Sequence, residues 1–278
     1  MKQKIAILFI MTFTILTFKN YDLILKSSLD GLYIWLYKVF PYLFIMIIIE
    51  DLLINLNFAK CFKNTSLYIF FMSLISGSPT GTYIISKLYK QNMISKKYAE
   101  ITLIFTFFAN PLFLYTILGS IFANTYITIK IIFILYFTNF LLYLYYKKSL
   151  PKNDRLINKV DINLSTSIKT SINTTITVLG VIIFYLILSN ILIKELNIIY
   201  PFNILFKGLL EMTQGLAALI NTNTIYKELL TCLFISFGGF SIHTQILAIL
   251  SDANLSYKPF LKGRIIQTIL VIIFIIIM

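Results

Sequence analysis

The sequence SGSPTG at residues 76–81 interrupts an apolar stretch that covers residues 67–88. A glycine and proline break of this kind frees backbone N–H and C=O groups that lipid cannot satisfy. Irregular backbone at membrane depth is tolerated only where it is buried in protein or lines a polar cavity. A second break, SFGGFS at residues 236–241, lies near the other end of the chain. Two such breaks in corresponding halves are typical of a transporter binding site.

Composition places the chain in a bilayer. Its 278 residues are 58% hydrophobic and 13% charged, whereas soluble domains average about 45–50% apolar and about 25% charged residues. The net charge of +13 comes largely from lysines clustered between apolar runs. That distribution is typical of cytoplasmic loops near anionic lipid and does not indicate nucleic-acid binding.

Apolar length predicts an all-α polytopic membrane protein with about eight membrane segments in two related halves, each with a broken, re-entrant helix hairpin. We divide the chain into an N-terminal membrane helix and linker (1–30), a first transporter half (31–146), a basic cytoplasmic loop (147–171) and a second half (172–278). The N-terminal helix is predicted over 5–18, and the eight segments of the two halves are predicted over 39–56, 67–88, 98–122, 125–146, 172–193, 203–220, 229–250 and 260–278. The N-terminal helix is expected to be uncleaved, with a cytoplasmic N-terminus.

A common spacing links the two halves. The interval from Gly77 to Gly238, one glycine in each break, equals the interval from Glu50 to Glu211. Each glutamate therefore precedes the glycine of its break by the same number of positions, which indicates an internal duplication. The basic turns 87–97 and 258–264 are both expected in the cytoplasm. Whether the repeats are parallel or inverted stays open, because the segment broken at Asn110 is a candidate half-crossing.

Candidate site residues follow from the breaks. The substrate-binding candidates are Ser76, Gly77, Ser78, Thr80, Gly81, Asn110, Ser236, Gly238, Gly239, Ser241 and Gln245. The coupling or structural candidates are Glu50, Glu211, Gln214, Pro111 and His243.

Several of these residues have two interpretations. Glu50 fits either a helix end or an intramembrane role. Glu211 lies inside an apolar helix predicted over 208–220, where an ionisable group costs at least ~2.5 kcal/mol. That cost favours a functional role for Glu211. The glutamates either exchange protons during transport or cap freed N–H groups. His243, the only histidine, fits packing or a proton relay. No metal or cofactor is expected, and Cys61 and Cys232 do not indicate a disulfide.

The motifs resemble a known family. The runs SGSPTG (76–81), FANPLF (108–113), GLLEMTQG (208–215) and SFGGFSIHTQ (236–245) resemble, in order and spacing, the nucleoside-recognition or Gate domain family and its sporulation membrane branch. The resemblance covers about residues 40–269.

The resemblance implies an integral membrane protein of endospore-forming bacteria. It implies movement of dipicolinate, a small aromatic dianion, across the outer forespore membrane during spore maturation. The expected partners are a small anionic substrate and the bilayer, a homo-oligomer stays open, and no nucleic acid is expected. A nucleoside or other small-solute permease and a non-transporting scaffold that recruits partners through the basic loop are alternatives. An enzyme is not expected, because the chain has one histidine and neither HExxH nor GxSxG.

Overall fold

The computed structural model describes residues 2–151 and 163–278, and every regular element within those ranges is helical. This confirms the predicted all-α class. In chain order the α-helices are α1 (Lys2–Lys19), α2 (Tyr21–Ile34), α3 (Phe40–Asn55), α4 (Thr65–Ser76), α5 (Thr80–Lys90), α6 (Lys96–Thr102), α7 (Pro111–Phe122), α8 (Thr125–Tyr146), α9 (Leu164–Glu195), α10 (Phe202–Leu210), α11 (Met212–Ile220), α12 (Lys227–Phe237), α13 (Gly239–Ser251) and α14 (Lys258–Ile277).

Side-chain caps decide where several helices begin. Ser95, Asn110, Asn124, Asn163 and Glu211 each accept a hydrogen bond from a backbone N–H in the first turn of the helix that follows. A short polar side chain at this position satisfies N–H groups that have no partner inside the helix. These five residues therefore start α6, α7, α8, α9 and α11.

Long apolar helices dominate the molecule. Among the described residues, the helices long and apolar enough to cross a membrane are Tyr21–Asn55, Thr125–Ser149, Leu164–Glu195, Lys227–Ser251 and Lys258–Ile277. The first of them joins α2 and α3 through a π-helical turn, Trp35–Val39. The chain is therefore a polytopic integral membrane protein. The predicted segment 5–18 lies in α1, which does not belong to this set of five.

The outer surface suits lipid. Ile129 and Phe133 on α8 are 57% and 56% exposed, and Ile269 on α14 is 54% exposed. Large apolar residues with this exposure on a soluble protein mark a contact surface. On long apolar helices they are the expected lipid-facing residues.

Two helix pairs fold back on themselves. α4 packs against α5, and a Cβ on Gly81 would lie 2.5 Å from the Ser73 Oγ across the pair. α10 packs against α11 in the same way, and a Cβ on Gly215 would lie 2.2 Å from the Gly208 Cα. The expected apolar helix over 208–220 is therefore wrong, because the chain turns at Glu211.

The second break differs in form from the prediction. α12 and α13 follow one another within one 25-residue candidate span, interrupted at Gly238 and Gly239. α12 and α13 do not pack on each other as α4 and α5 do, so the predicted hairpin at residues 236–241 is not seen among the described residues, and the packed helix pair of the second half lies on either side of Glu211.

The helix ends nevertheless keep the repeat. α4 and α12 end at Ser76 and Phe237, and α5 and α13 end at Lys90 and Ser251. Both pairs of ends are separated by the same interval as Gly77 and Gly238. The helices on either side of each break therefore occupy equivalent positions in the two halves.

The two halves share their cores. α9 packs against α2, α3 and α13, α5 contacts α13, and α8 packs against α14. One apolar cluster joins Tyr68 and Ile84 of the first half to Ile246 and Phe260 of the second. Of the predicted basic loop 147–171, residues 152–162 lie outside the described ranges. Its last residues are helical, because Asn163 caps α9.

Candidate functional site

The first break lies against an unwound segment, residues 104–110, between α6 and α7. Gly77 has a φ of 76°, and a Cβ there would lie 2.9 Å from the Asn110 backbone nitrogen. The N–H of Ser78 donates to the Phe108 carbonyl at 2.7 Å. Because this φ lies in the left-handed region, only glycine fits without strain.

The unwound segment is held by side chains of α8. Asn139 donates from its amide to the Phe107 carbonyl, and the Tyr136 hydroxyl donates to the Ala109 carbonyl at 3.0 Å.

Asn110, at the end of the segment, accepts from the Leu112 and Phe113 N–H groups at 2.9 and 3.1 Å, so it caps α7. Its amide nitrogen also donates to a carbonyl at the end of α4. Pro111 is the first residue of α7. Segment 104–110 is thus an ordered, non-helical strip of backbone.

The second break contacts the same segment. Gly238 and Gly239 both have positive φ, 93° and 67°. A Cβ on Gly238 would lie 2.9 Å from the Phe107 Cζ, and one on Gly239 would lie 3.0 Å from the Met212 backbone nitrogen. The second break therefore lies between the unwound segment and the tip of the α10–α11 hairpin.

Glu211 forms that tip. Its side chain is 3% exposed, and its carboxylate accepts from the Gln214 N–H at 2.8 Å and from the Thr213 hydroxyl. Ser241 donates to the other carboxylate oxygen at 3.5 Å. The carboxylate caps α11 and reaches the first turn of α13. The side-chain amide of Gln214 donates instead to the Asn190 Oδ1 on α9 at 2.7 Å.

Arg264 is a fully buried cation at the second break. Its Nη1 donates to the Ser236 carbonyl at 3.3 Å and to the Gln267 side chain. The guanidinium lies 4.1 Å from the ring centroid of Phe107. Within the described residues, Nε and Nη2 have no hydrogen-bond partner. Burying a charge with so few hydrogen-bond partners is costly, which makes Arg264 a candidate for the functional site.

Arg264 was not among the predicted site residues, although the sequence carried a signal. It lies in an apolar span, and it is one of two arginines among the 24 basic residues other than histidine. A chain that otherwise uses lysine places arginine where a planar, permanently charged group with several donors is needed.

Some of the remaining predicted residues form side-chain hydrogen bonds within the protein, and others do not form one to any described residue. Ser76 and Ser236 bond back to carbonyls of their own helices, each at 2.6 Å. The His243 ring contacts the Phe237 carbonyl at 2.9 Å and the Tyr257 hydroxyl. In the described part of the chain, the hydroxyls of Ser78 and Thr80 have no hydrogen-bond partner.

Glu50 differs from its repeat partner. It is fully buried on α3, and its carboxyl faces the Tyr68 hydroxyl. Neither carboxyl oxygen makes a hydrogen bond of regular geometry to any described residue. Glu211 is a satisfied helix cap, whereas Glu50 is a buried carboxyl without such a partner.

A polar cavity of about 540 Å³ opens between α3, α5, α9 and α13. Gln245 is the one predicted site residue that lines it. The cavity wall on α9 consists of Thr166, Thr170, Asn173, Thr174, Thr177 and Val178. Its other polar lining residues are Asp51, Asn55, Tyr83, Ser86, Lys87, Lys90, Gln91 and Asp252. α3 and α5 belong to the first half and α9 and α13 to the second, so the cavity lies at the interface between the halves.

The fold and the site define a polytopic helical membrane protein in which two chain breaks meet at one buried, unwound segment. The chain is similar to the sporulation integral membrane protein YlbJ of Bacillus subtilis (strain 168). The two are 23% identical over 310 aligned positions, which cover 90% of this chain and 76% of YlbJ. No family model matches the chain, and no solved structure matches it. The similarity supports the sporulation branch of the resemblance, and the Gate domain stays a prediction.

Proposed function

We propose that the protein is a membrane transporter that moves a small organic anion, with dipicolinate as the first candidate, across the outer forespore membrane during spore maturation. The observation that carries the proposal is the contact of both breaks with segment 104–110. Gly77 and Ser78 contact it from one break, and Gly238 contacts it from the other. Non-helical backbone inside a membrane domain is expected where a solute is bound or passed.

The charges near the breaks support an anionic solute. Arg264 places a permanent positive charge beside the second break, and two of its nitrogen groups have no partner among the described residues. α5 and α13 begin within the two breaks, at Thr80 and Gly239, and a helix N-terminus favours negative charge. The similarity to YlbJ, a sporulation integral membrane protein, supports a role in sporulation. The proposed activity involves no catalytic step and no cofactor.

A nucleoside or another uncharged solute is the second candidate. The cavity lining includes two acidic and two basic side chains and is otherwise rich in hydroxyl and amide groups. Such a lining offers hydrogen bonds without a net charge. A cavity of about 540 Å³ also falls within the usual size of small-molecule sites, roughly 300–1,000 Å³.

Uptake into proteoliposomes separates the two candidates. The purified full-length chain is reconstituted, and the uptake of radiolabelled dipicolinate and uridine is compared with that of protein-free vesicles. The proposal predicts saturable dipicolinate uptake that unlabelled dipicolinate inhibits and uridine does not. Saturable uptake of uridine alone would support the second candidate, and uptake of neither would contradict both.

A further inference from the structure

Asp51 is held by donors from two other helices. One carboxylate oxygen accepts from the Lys87 ammonium and the Tyr83 hydroxyl, both on α5. The other accepts from the Ser167 hydroxyl on α9 at 2.6 Å. The Lys87 ammonium also donates to the Asp51 backbone carbonyl at 3.3 Å. One carboxylate therefore collects a cation and two hydroxyl donors, which is the chemistry that binds a carboxylate strongly.

This donor set faces the cavity. Asp51, Tyr83 and Lys87 line its wall, and Ser167 follows the lining residue Thr166 on α9. The set is nearly dry, because Asp51 is 4% exposed and Ser167 is fully buried. A solute that enters the cavity would thus reach a preformed carboxylate site that already has an occupant.

We propose that Asp51 is an internal competitor that occupies the carboxylate-binding site of the cavity, and that a carboxylate group of the solute displaces it from Lys87, Tyr83 and Ser167. The inference rests on the proposed transport of an organic anion and adds where and how one carboxylate is recognised. It gives the cavity, rather than the chain breaks, the first contact with the solute.

Displacement also has a mechanical consequence. Asp51 lies on α3, its partners lie on α5 and α9, and α9 belongs to the other half. While Asp51 is bound, these three helices are tied together across the interface between the halves. Once the solute takes the donors, α3 is released from α5 and α9. Binding is thereby coupled to a rearrangement of the halves, because the bound solute has a differential affinity for the released state.

Binding measured in detergent tests the inference independently of transport. Isothermal titration of Asp51→Asn with dipicolinate should give a dissociation constant about tenfold lower than wild type, because the donor set is no longer occupied for most of the time. Pyridine, which has the ring but no carboxylate, should bind Asp51→Asn no more tightly than it binds wild type. The matched control is Asp22→Asn, which removes one negative charge from an exposed position on α2 outside the cavity lining and should leave the constant within about twofold of wild type.

If Asp51→Asn does not fold because Lys87 is left unpaired, a double variant provides the test. Asp51→Asn with Lys87→Met removes both members of this ion pair, so it leaves no unpaired charge at the site, and it should bind dipicolinate at least about tenfold more weakly than wild type. Equal tightening in the Asp51 and Asp22 variants, or wild-type binding by the double variant, would overturn the inference. If the three proteins bind dipicolinate in the predicted order (Asp51→Asn tightest, then wild type, then the double variant) but wild-type proteoliposomes show no uptake, only the proposed transport is contradicted.

Discussion

Gly77 and Gly238 occupy equivalent positions in the two halves, and both have a positive φ, 76° and 93°. Each directly follows the last residue of a helix. Each also contacts the unwound segment, since an added Cβ would lie 2.9 Å from the Asn110 nitrogen in one case and 2.9 Å from the Phe107 Cζ in the other. The repeat seen in the sequence thus becomes a pair of breaks that meet at residues 104–110.

The α10–α11 hairpin depends on the close approach of two glycines. We expect Gly215→Ala to reduce the free energy of unfolding by about 1–3 kcal/mol, because the new methyl group overlaps the Gly208 backbone. The melting temperature in detergent measures this loss. Gly119→Ala is the matched control, since a Cβ there meets nothing within 4 Å. Equal melting temperatures for the two variants would contradict the hairpin packing.

Arg264 should not tolerate lysine. Its guanidinium spans the Ser236 carbonyl, the Gln267 side chain and the Phe107 ring, and an ammonium group cannot reproduce that planar geometry. We expect Arg264→Lys to lose at least about tenfold in dipicolinate uptake and about 1–3 kcal/mol of stability. Lys262→Arg, an exposed position on the same helix, is the control and should behave as wild type. Normal uptake by Arg264→Lys would show that transport does not need a guanidinium group at this position.

The two glutamates should respond differently to amide substitution. Glu211→Gln keeps an acceptor for the Gln214 N–H, so we expect it to retain most uptake and its pH dependence. Glu50→Gln removes a buried carboxyl that makes no regular hydrogen bond to any described residue, so we expect a higher melting temperature and uptake that no longer responds to a pH gradient. Uptake measured with and without an imposed pH gradient distinguishes them. The reverse pattern would assign proton exchange to Glu211.

The all-helical class and the first break were predictable because they depend on composition and local sequence. Gly77 and Pro79 interrupt an apolar run in a way that no helix accommodates, and the spacing between the two halves recurs in the helix ends. The form of the second half was not predictable from the same signals. Gly238 and Gly239 bend a continuing span, whereas the turn at Glu211 has no proline and depends on the packing of α10 on α11.

The cavity was missed although part of its pattern stands in the sequence. Thr166, Thr170, Asn173, Thr174 and Thr177 recur at helical spacing, which places them on one face of α9. A polar stripe of this kind in an apolar span indicates a polar surface. Which helices complete the wall follows only from tertiary packing, because α3, α5 and α13 are distant in sequence.

Uptake of radiolabelled dipicolinate by Gly238→Leu and Gly180→Leu proteoliposomes tests the central claim most directly. Both glycines lie in candidate spans, but Gly238 has a positive φ and contacts Phe107, whereas a Cβ on Gly180 would meet no described residue within 4 Å. The account predicts that both variants insert into membranes, that Gly180→Leu transports like wild type and that Gly238→Leu does not transport. Equal, wild-type uptake by the two variants would contradict a transport site built on the meeting of the two breaks.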